Sequence, residues 1–165
     1  MTSDPDQPQV YLVTPPAFEP EAFAPLLARV LDACPVACLR LALATGDEAE
    51  LMRAGDHLRA IAHERDIPIM IDTHFRLVDR LGLDGVHLPD GARHLRPARK
   101  LLGPDAVIGA FCGTSRHAGM TAGEAGADYI AFGPVADSGL GSGEVAAHGL
   151  FEWWSEMIEL PVVAG

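Results

Sequence analysis

Short apolar runs recur along this chain, and a helical pattern separates each from the next. Runs of β-forming residues lie at 10–14, 36–43, 67–72, 84–88, 106–111, 127–133 and 161–165. Apolar residues at three-and-four spacing and stop signals predict helices from about 21 to 34 and at 47–65, 75–81, 94–102, 119–126 and 150–160. Alternation of apolar strands with helices is typical of a parallel sheet that helices cover.

Two α/β architectures fit that alternation, a doubly wound open sheet and a (β/α)₈ TIM-type barrel. No G-x-G-x-x-G run follows the first strand, where Pro15 and Pro16 stand instead, which argues against a dinucleotide-binding sheet. The evenly sized units favour the barrel. Residues 1–9 are predicted to be a disordered lead, and 10–165 a single barrel domain.

Seven strands are predicted where a closed barrel needs eight, so the eighth βα unit is absent from the given chain. We expect the natural product to extend beyond Gly165, or the chain to associate as a homo-oligomer, since open edges of apolar strands pair readily with other chains.

Charge and composition exclude several classes of function. Twelve Lys and Arg against 23 Asp and Glu give a net charge of −11, which disfavours nucleic acid as a partner. No apolar run approaches the roughly 20 residues that span a bilayer, so no membrane role is expected. Three cysteines without paired spacing predict reduced thiols in a cytoplasmic protein, and no metal-ligand spacing is seen. A small phosphorylated ligand remains compatible with the acidic surface.

Five segments, spaced along the whole chain, match one known family in order. They are Tyr11-Leu12-Val13-Thr14, the run Leu83-Asp84-Gly85-Val86-His87-Leu88, residues 102–109, the run Ala125-Gly126-Ala127-Asp128-Tyr129-Ile130 with its continuation to Val135, and Pro161-Val162-Val163-Ala164. These segments resemble the thiamine phosphate synthase family, which includes a thiazole tautomerase (TenI) branch. The resemblance implies a (β/α)₈ barrel and an enzyme that couples an aminopyrimidine diphosphate to a thiazole phosphate, with Mg²⁺ on the diphosphate.

The family's ligand positions are largely replaced in this chain. Arg40 remains from a Gln-x-Arg-x-Lys pattern, while Cys38 and Ala42 stand for the Gln and the Lys. Thr73 stands where the family's Asn-Asp-Arg run has its metal-binding Asp. The family's second metal-binding Asp lies in a Gly-Gln-Glu-Asp run after the fourth strand, and Asp90 stands two residues before that position. Phe111 replaces the family's Ser on the fifth strand. Ala136-Asp137-Ser138 stands near the family's Thr-x-Thr-Lys diphosphate loop and has no Lys.

These replacements predict that coupling by the Mg²⁺ route is impaired. Two alternatives stay open. One is a barrel that binds a small phosphate without catalysis or acts in regulation. The other is a thiazole tautomerase, which needs no metal. Leu88-Pro89-Asp90-Gly91 resembles the tautomerase branch, whereas Gly133-Pro134-Val135 lacks that branch's catalytic His. No catalytic residue is assigned.

Six residues are predicted to bind substrate. Arg40 is either a phosphate ligand or part of a structural ion pair, because a buried Arg must be paired. His74, after the third strand, either binds phosphate or moves a proton, or is a solvated loop residue. Gly133 closes the sixth strand.

Thr114, Ser115 and Arg116 complete the set, in the run Cys112-Gly113-Thr114-Ser115-Arg116-His117. Two hydroxyls and a guanidinium after the fifth strand suit an anion. The competing interpretation is a helix start capped by Thr114 or Ser115. His87, in mid-strand, is interpreted as a satisfied core histidine.

Overall fold

The computed structural model describes residues 9–134 and 146–165, which fall into two compact units. The first holds residues 9–72 and Leu77–Asp84, and the second holds Thr73–Arg76 together with residues 85–134 and 146–165. Most of the predicted lead, and the Ala136-Asp137-Ser138 segment, lie outside the described residues.

The first unit contains three strands, and each is parallel to the next. They are β1 (Val10–Val13), β2 (Val36–Leu41) and β3 (Ile69–Asp72). In register, Val13 lies opposite Arg40, and Arg40 lies opposite Met70. The helices are α1 (Pro20–Ala33), α2 (Glu48–Glu64) and the short α3 (Val78–Leu81).

The second unit repeats the pattern with four strands. They are β4 (Gly85–Leu88), β5 (Val107–Phe111), β6 (Tyr129–Phe132) and β7 (Val162–Ala164), all parallel and paired in chain order. Its helices are α4 (Leu95–Leu102), α5 (Arg116–Glu124) and α6 (His148–Met157). In each unit the predicted sequential parallel pairing is confirmed.

Two predictions of detail are wrong. The three-and-four spacing of apolar residues in α1 predicts that Leu26, Leu27 and Leu31 share one buried face. Leu27 and Leu31 are buried, but Leu26 is 47% exposed. Helix α5 was predicted to begin near Gly119 but begins at Arg116, because the Ser115 side chain caps it by accepting the N–H of Ala118 at 3.1 Å.

An aromatic cluster packs α5 and α6 against β6. Trp154 is 1% exposed and meets the Phe132 ring edge-on at 5.2 Å between centroids. Its indole N–H donates to the carbonyl of Leu160 at 2.9 Å. Adjacent helical residues point about 100° apart, which predicts one tryptophan in the core and one partly exposed. Trp153 is only half-buried, so this prediction is confirmed. Within the part of the chain that is described, no helix has the length and apolarity to cross a membrane.

Candidate functional site

Arg40 and Asp72 form an ion pair at the carboxyl ends of β2 and β3. The Nε of Arg40 lies 3.0 Å from Oδ1 of Asp72, although the two atoms lack hydrogen-bond alignment. The strand register explains the meeting. Arg40 lies opposite Met70, and Asp72, two residues further along, points to the same face of the sheet. The two side chains are 21% and 30% exposed, so solvent and solutes reach them.

Burial raises the pKa of two side chains in this region, Asp72 of the pair and the nearby Cys38. Burial raises the pKa of Asp72 to about 6, against the opposing effect of Arg40. The Arg40 guanidinium also lies 5.7 Å from the centre of the Tyr11 ring. Burial, reinforced by the charge of Asp84 and opposed by Arg40, raises the pKa of the Cys38 thiol to about 11. Cys38 is therefore a neutral thiol near pH 7 and no nucleophile.

Thr73 and His74 begin a tight turn in the second unit. Thr73 has a φ of 63°, a left-handed conformation that is rare for a β-branched residue. Its N–H donates to the carbonyl of His87 at 2.9 Å, and its carbonyl accepts the N–H of Phe75 at 2.9 Å. Backbone strain of this kind clusters at functional sites. His74 is half-buried on this turn.

The segment after β5 is a capped helix start. Ser115 is the cap of α5, so that interpretation is confirmed for Ser115, while its binding to substrate stays a prediction. The guanidinium of Arg116 lies 4.4 Å from the centre of the Trp153 ring, a cation–π contact. Burial raises the pKa of the Cys112 thiol to about 11, which leaves it protonated at neutral pH.

Gly133 and the Gly113 turn come together in the second unit. The N–H of Gly133 donates to the carbonyl of Gly113 at 3.1 Å, which brings Gly133 close to the turn that carries Thr114. A Cβ on Gly133 would lie 1.6 Å from the carbonyl oxygen of Gly165, so only glycine fits there. Thr114, Ser115, Arg116 and Gly133 thus share one end of the second unit.

The core role of His87 is confirmed. His87 is 4% exposed, and its Nδ1 lies 2.7 Å from the Tyr129 hydroxyl. Sequence reasoning missed the pairing of Asp72 with Arg40. The signal was present, because residues 40 and 72 fall on the same face once β2 and β3 are placed in register.

Within each unit, consecutive parallel strands alternate with helices and carry polar residues at their carboxyl ends. This pattern is typical of the (β/α)₈ barrel class, which places its chemistry at that end. A solved structure agrees over most of the chain. The thiamine phosphate pyrophosphorylase from Pyrococcus furiosus matches with a TM-score of 0.80 at 22% identity, covering 94% of this chain and 73% of that one. This likeness confirms the predicted fold class.

The sequence comparisons identify the family. The model of the family described as thiamine monophosphate synthase matches residues 10–165. The thiamine-phosphate synthase of Rhodospirillum centenum is 43% identical over 157 residues, which are 94% of this chain and 76% of that protein. That of Hyphomonas neptunium is 40% identical over 162 residues, covering 94% and 73%. The chain belongs to the thiamine monophosphate synthase family.

Proposed function

We propose that this protein serves thiamine biosynthesis by binding a small phosphorylated pyrimidine or thiazole compound, and that it does not couple the two by the family's Mg²⁺ route. The observation that carries the proposal is the Arg40–Asp72 pair. Arg40 is the cation kept from the family's strand-two pattern. Here it stands without the flanking Gln and Lys, and Asp72 already offsets part of its charge.

The donors near this pair do not fit a magnesium site. Mg²⁺ binds hard oxygen ligands, usually one or two carboxylates together with substrate phosphates. Thr73 offers a neutral hydroxyl where the family has its metal-binding Asp, and the carboxylate of Asp72 faces Arg40. Mg²⁺ would be the cofactor only if coupling were retained.

Arg40 is proposed as the main hydrogen-bond donor of the first unit to a bound phosphate group. A phosphate dianion competes better than one carboxylate for a guanidinium, because it carries more negative charge and more acceptor oxygens. His74, Thr114, Ser115, Arg116 and Gly133 are proposed as the substrate-binding residues of the second unit.

Calorimetric titration tests the proposal. The phosphorylated thiazole and the aminopyrimidine diphosphate are titrated separately into the wild-type chain and into Arg40→Gln. Arg29→Gln, an exposed change on α1, is the matched control. We expect at least one compound to bind, Arg29→Gln to leave its affinity unchanged, and Arg40→Gln to weaken it roughly tenfold or more, the worth of a charge-assisted hydrogen bond. Binding of neither compound, or an unchanged affinity in Arg40→Gln, contradicts the proposal.

A second candidate, a metal-independent thiazole tautomerase, is favoured by one observation. The Asp72 carboxyl is 30% exposed at the end of β3, beside Arg40, and burial raises its pKa to about 6. Such a group is suited to take and return a proton near neutral pH. Conversion of the non-aromatic thiazole tautomer, followed by NMR and abolished in Asp72→Asn, supports that activity. Binding without any conversion supports a non-catalytic or regulatory barrel instead.

A further inference from the structure

A cavity of about 300 Å³ lies in the first unit, apart from all six predicted substrate-binding residues. Its walls come from the segment after β1, the segment after β2 and the start of α2. The apolar part of the wall includes Pro16, Phe18, Leu43 and Ala54. This volume is at the lower end of the range for pockets that hold small molecules.

Backbone and ring contacts hold these walls in place. The N–H of Ala44 donates to the carbonyl of Pro16 at 2.9 Å, which ties the two wall segments together. The Phe18 ring packs on Phe23 with 4.4 Å between centroids. The cavity is thus a preformed recess with an aromatic ring in its wall.

The cation in the wall is already neutralised. Arg53 forms ion pairs with Glu19 and with Glu21, the latter at 3.2 Å. These carboxylates raise the pKa of Arg53 above its usual value. Arg53 therefore attracts no further anion and acts as a fixed part of the wall.

Glu50 supplies the remaining charge. It is the third residue of α2, where a Glu side chain commonly returns to the N–H of the capping residue. That N–H, on Asp47, instead donates to Thr45 Oγ1 at 3.1 Å. Glu50 is exposed and lines the cavity, and its carboxylate has no hydrogen bond or ion pair among the described residues. The wall thus combines apolar surface with one uncommitted negative charge.

We propose that this cavity binds a small organic cation with a flat apolar body, its ammonium or amidinium group on Glu50 and its ring against Phe18 and Leu43. The inference goes beyond the proposed function and does not depend on it. A ring stacked on Phe18 adds area burial to the charge contact. The net charge of −11 favours the approach of cations.

The probe for the test is benzamidine, with benzamide as a neutral analogue of the same shape. Both are titrated into the full chain at neutral pH and followed by ¹H–¹⁵N NMR. We expect benzamidine to shift the amides of residues 43–46 and benzamide to bind more weakly. Glu50→Gln should weaken benzamidine about three- to fivefold, the worth of a partly exposed charge pair. Glu124→Gln, the same change on exposed α5, is the control and should leave the affinity unchanged.

A second variant closes the cavity. Ala44 lines it, and its side chain takes no part in the backbone bond to Pro16. Ala44→Trp should abolish benzamidine binding, with the fold checked by circular dichroism. Equal binding of benzamidine and benzamide, an unchanged affinity in Glu50→Gln, or no shifts at about 10 mM probe, where even very weak ligands bind, overturns the proposal. The Glu50→Gln arm decides the matter if Ala44→Trp fails to fold.

Discussion

Asp128 and Ile108 are joined by two reciprocal hydrogen bonds. The Asp128 carboxylate accepts the N–H of Ile108 at 2.8 Å, and the Asp128 N–H donates to the Ile108 carbonyl at 2.7 Å. The first unit repeats the arrangement between Asp84 and Ile69, at 2.8 and 2.9 Å. Asp128 lies just before β6 and binds the start of β5, and Asp84 lies just before β4 and binds the start of β3.

Asp128→Ala is expected to destabilise the fold by about 1–3 kcal/mol, because the change leaves a backbone N–H at the start of β5 unmatched. It also removes the partner of Arg99, which lies 2.6 Å from Asp128. Asp105→Ala, at an exposed loop position, is the control. Urea unfolding measures both, and an equal effect of the two substitutions would contradict this role for Asp128.

The sequence marks these aspartates without showing their role. Gly-x-Asp precedes β4 and also β6, and both runs contributed to the family resemblance. Their hydrogen-bond partners lie 15 and 20 residues earlier. Spacing alone does not pair residues so far apart, because that pairing depends on the strand register.

Gly119→Ala is expected to destabilise the chain although it improves helix propensity. A Cβ there would lie 2.8 Å from both Phe132 and Trp154, and overpacking typically costs about 1–3 kcal/mol. Gly123→Ala in the same helix meets its nearest atom, on Leu160, at 3.5 Å. It should stabilise by up to about 1 kcal/mol. Thermal unfolding measures both variants. A shift of the two melting temperatures in the same direction, relative to wild type, would refute the packing account.

The same glycine has a role that helix propensity does not show. Three glycines at 119, 123 and 126 weaken the propensity of this segment for a helix, yet α5 forms. The absent side chain at Gly119 admits the Trp154 ring. Such a requirement becomes visible only when α6 is placed.

Ser115→Ala should lower stability by about 1 kcal/mol, because it removes the cap of α5. Ser115→Asp keeps a capping oxygen and should retain most of the stability. If Ser115 also contacts a phosphate, Ser115→Asp should weaken phosphate binding through charge repulsion. Denaturation and ligand titration of both variants separate the two roles. Stability lost equally in Ser115→Ala and Ser115→Asp would argue against the cap.

Asp72→Asn is expected to alter the pH dependence of stability. Burial raises the pKa of Asp72 in the folded state from its usual value of 3.8 to about 6, so the folded state holds this proton more tightly than the unfolded state. The resulting stabilisation is complete below about pH 4 and is lost as the pH rises through 6. Wild type should therefore lose on the order of 2–3 kcal/mol relative to Asp72→Asn across that window.

Urea unfolding of both proteins from pH 4 to 7.5 measures this difference, and the other carboxylates cancel in the comparison. If the difference in unfolding free energy between the two proteins stayed constant with pH, burial would not control the pKa of Asp72. A rise in the stability of wild type relative to Asp72→Asn with increasing pH would show the same.

The candidate site was predictable only in part. Side chains alternate between the two faces of β2, so Arg40 points to the face opposite that of Leu39 and Leu41, which are fully buried. The charge of a buried Arg40 side chain required a partner. The identity of that partner depended on the register of β2 with β3. The position of Arg116 over Trp153 depended on where α6 packs. Helix α6 follows residues 134–147, a Gly-, Ser- and Ala-rich segment whose sequence pattern predicts neither helix nor strand.

The most direct test of the central claim is a coupling assay with Mg²⁺. The chain is incubated with aminopyrimidine diphosphate, thiazole phosphate and Mg²⁺, and thiamine phosphate is quantified by chromatography against a reaction without protein. The account predicts no product above that background, under conditions where calorimetry shows a precursor bound through Arg40. Turnover in the ordinary enzymatic range, about 1–10³ per second, would contradict it.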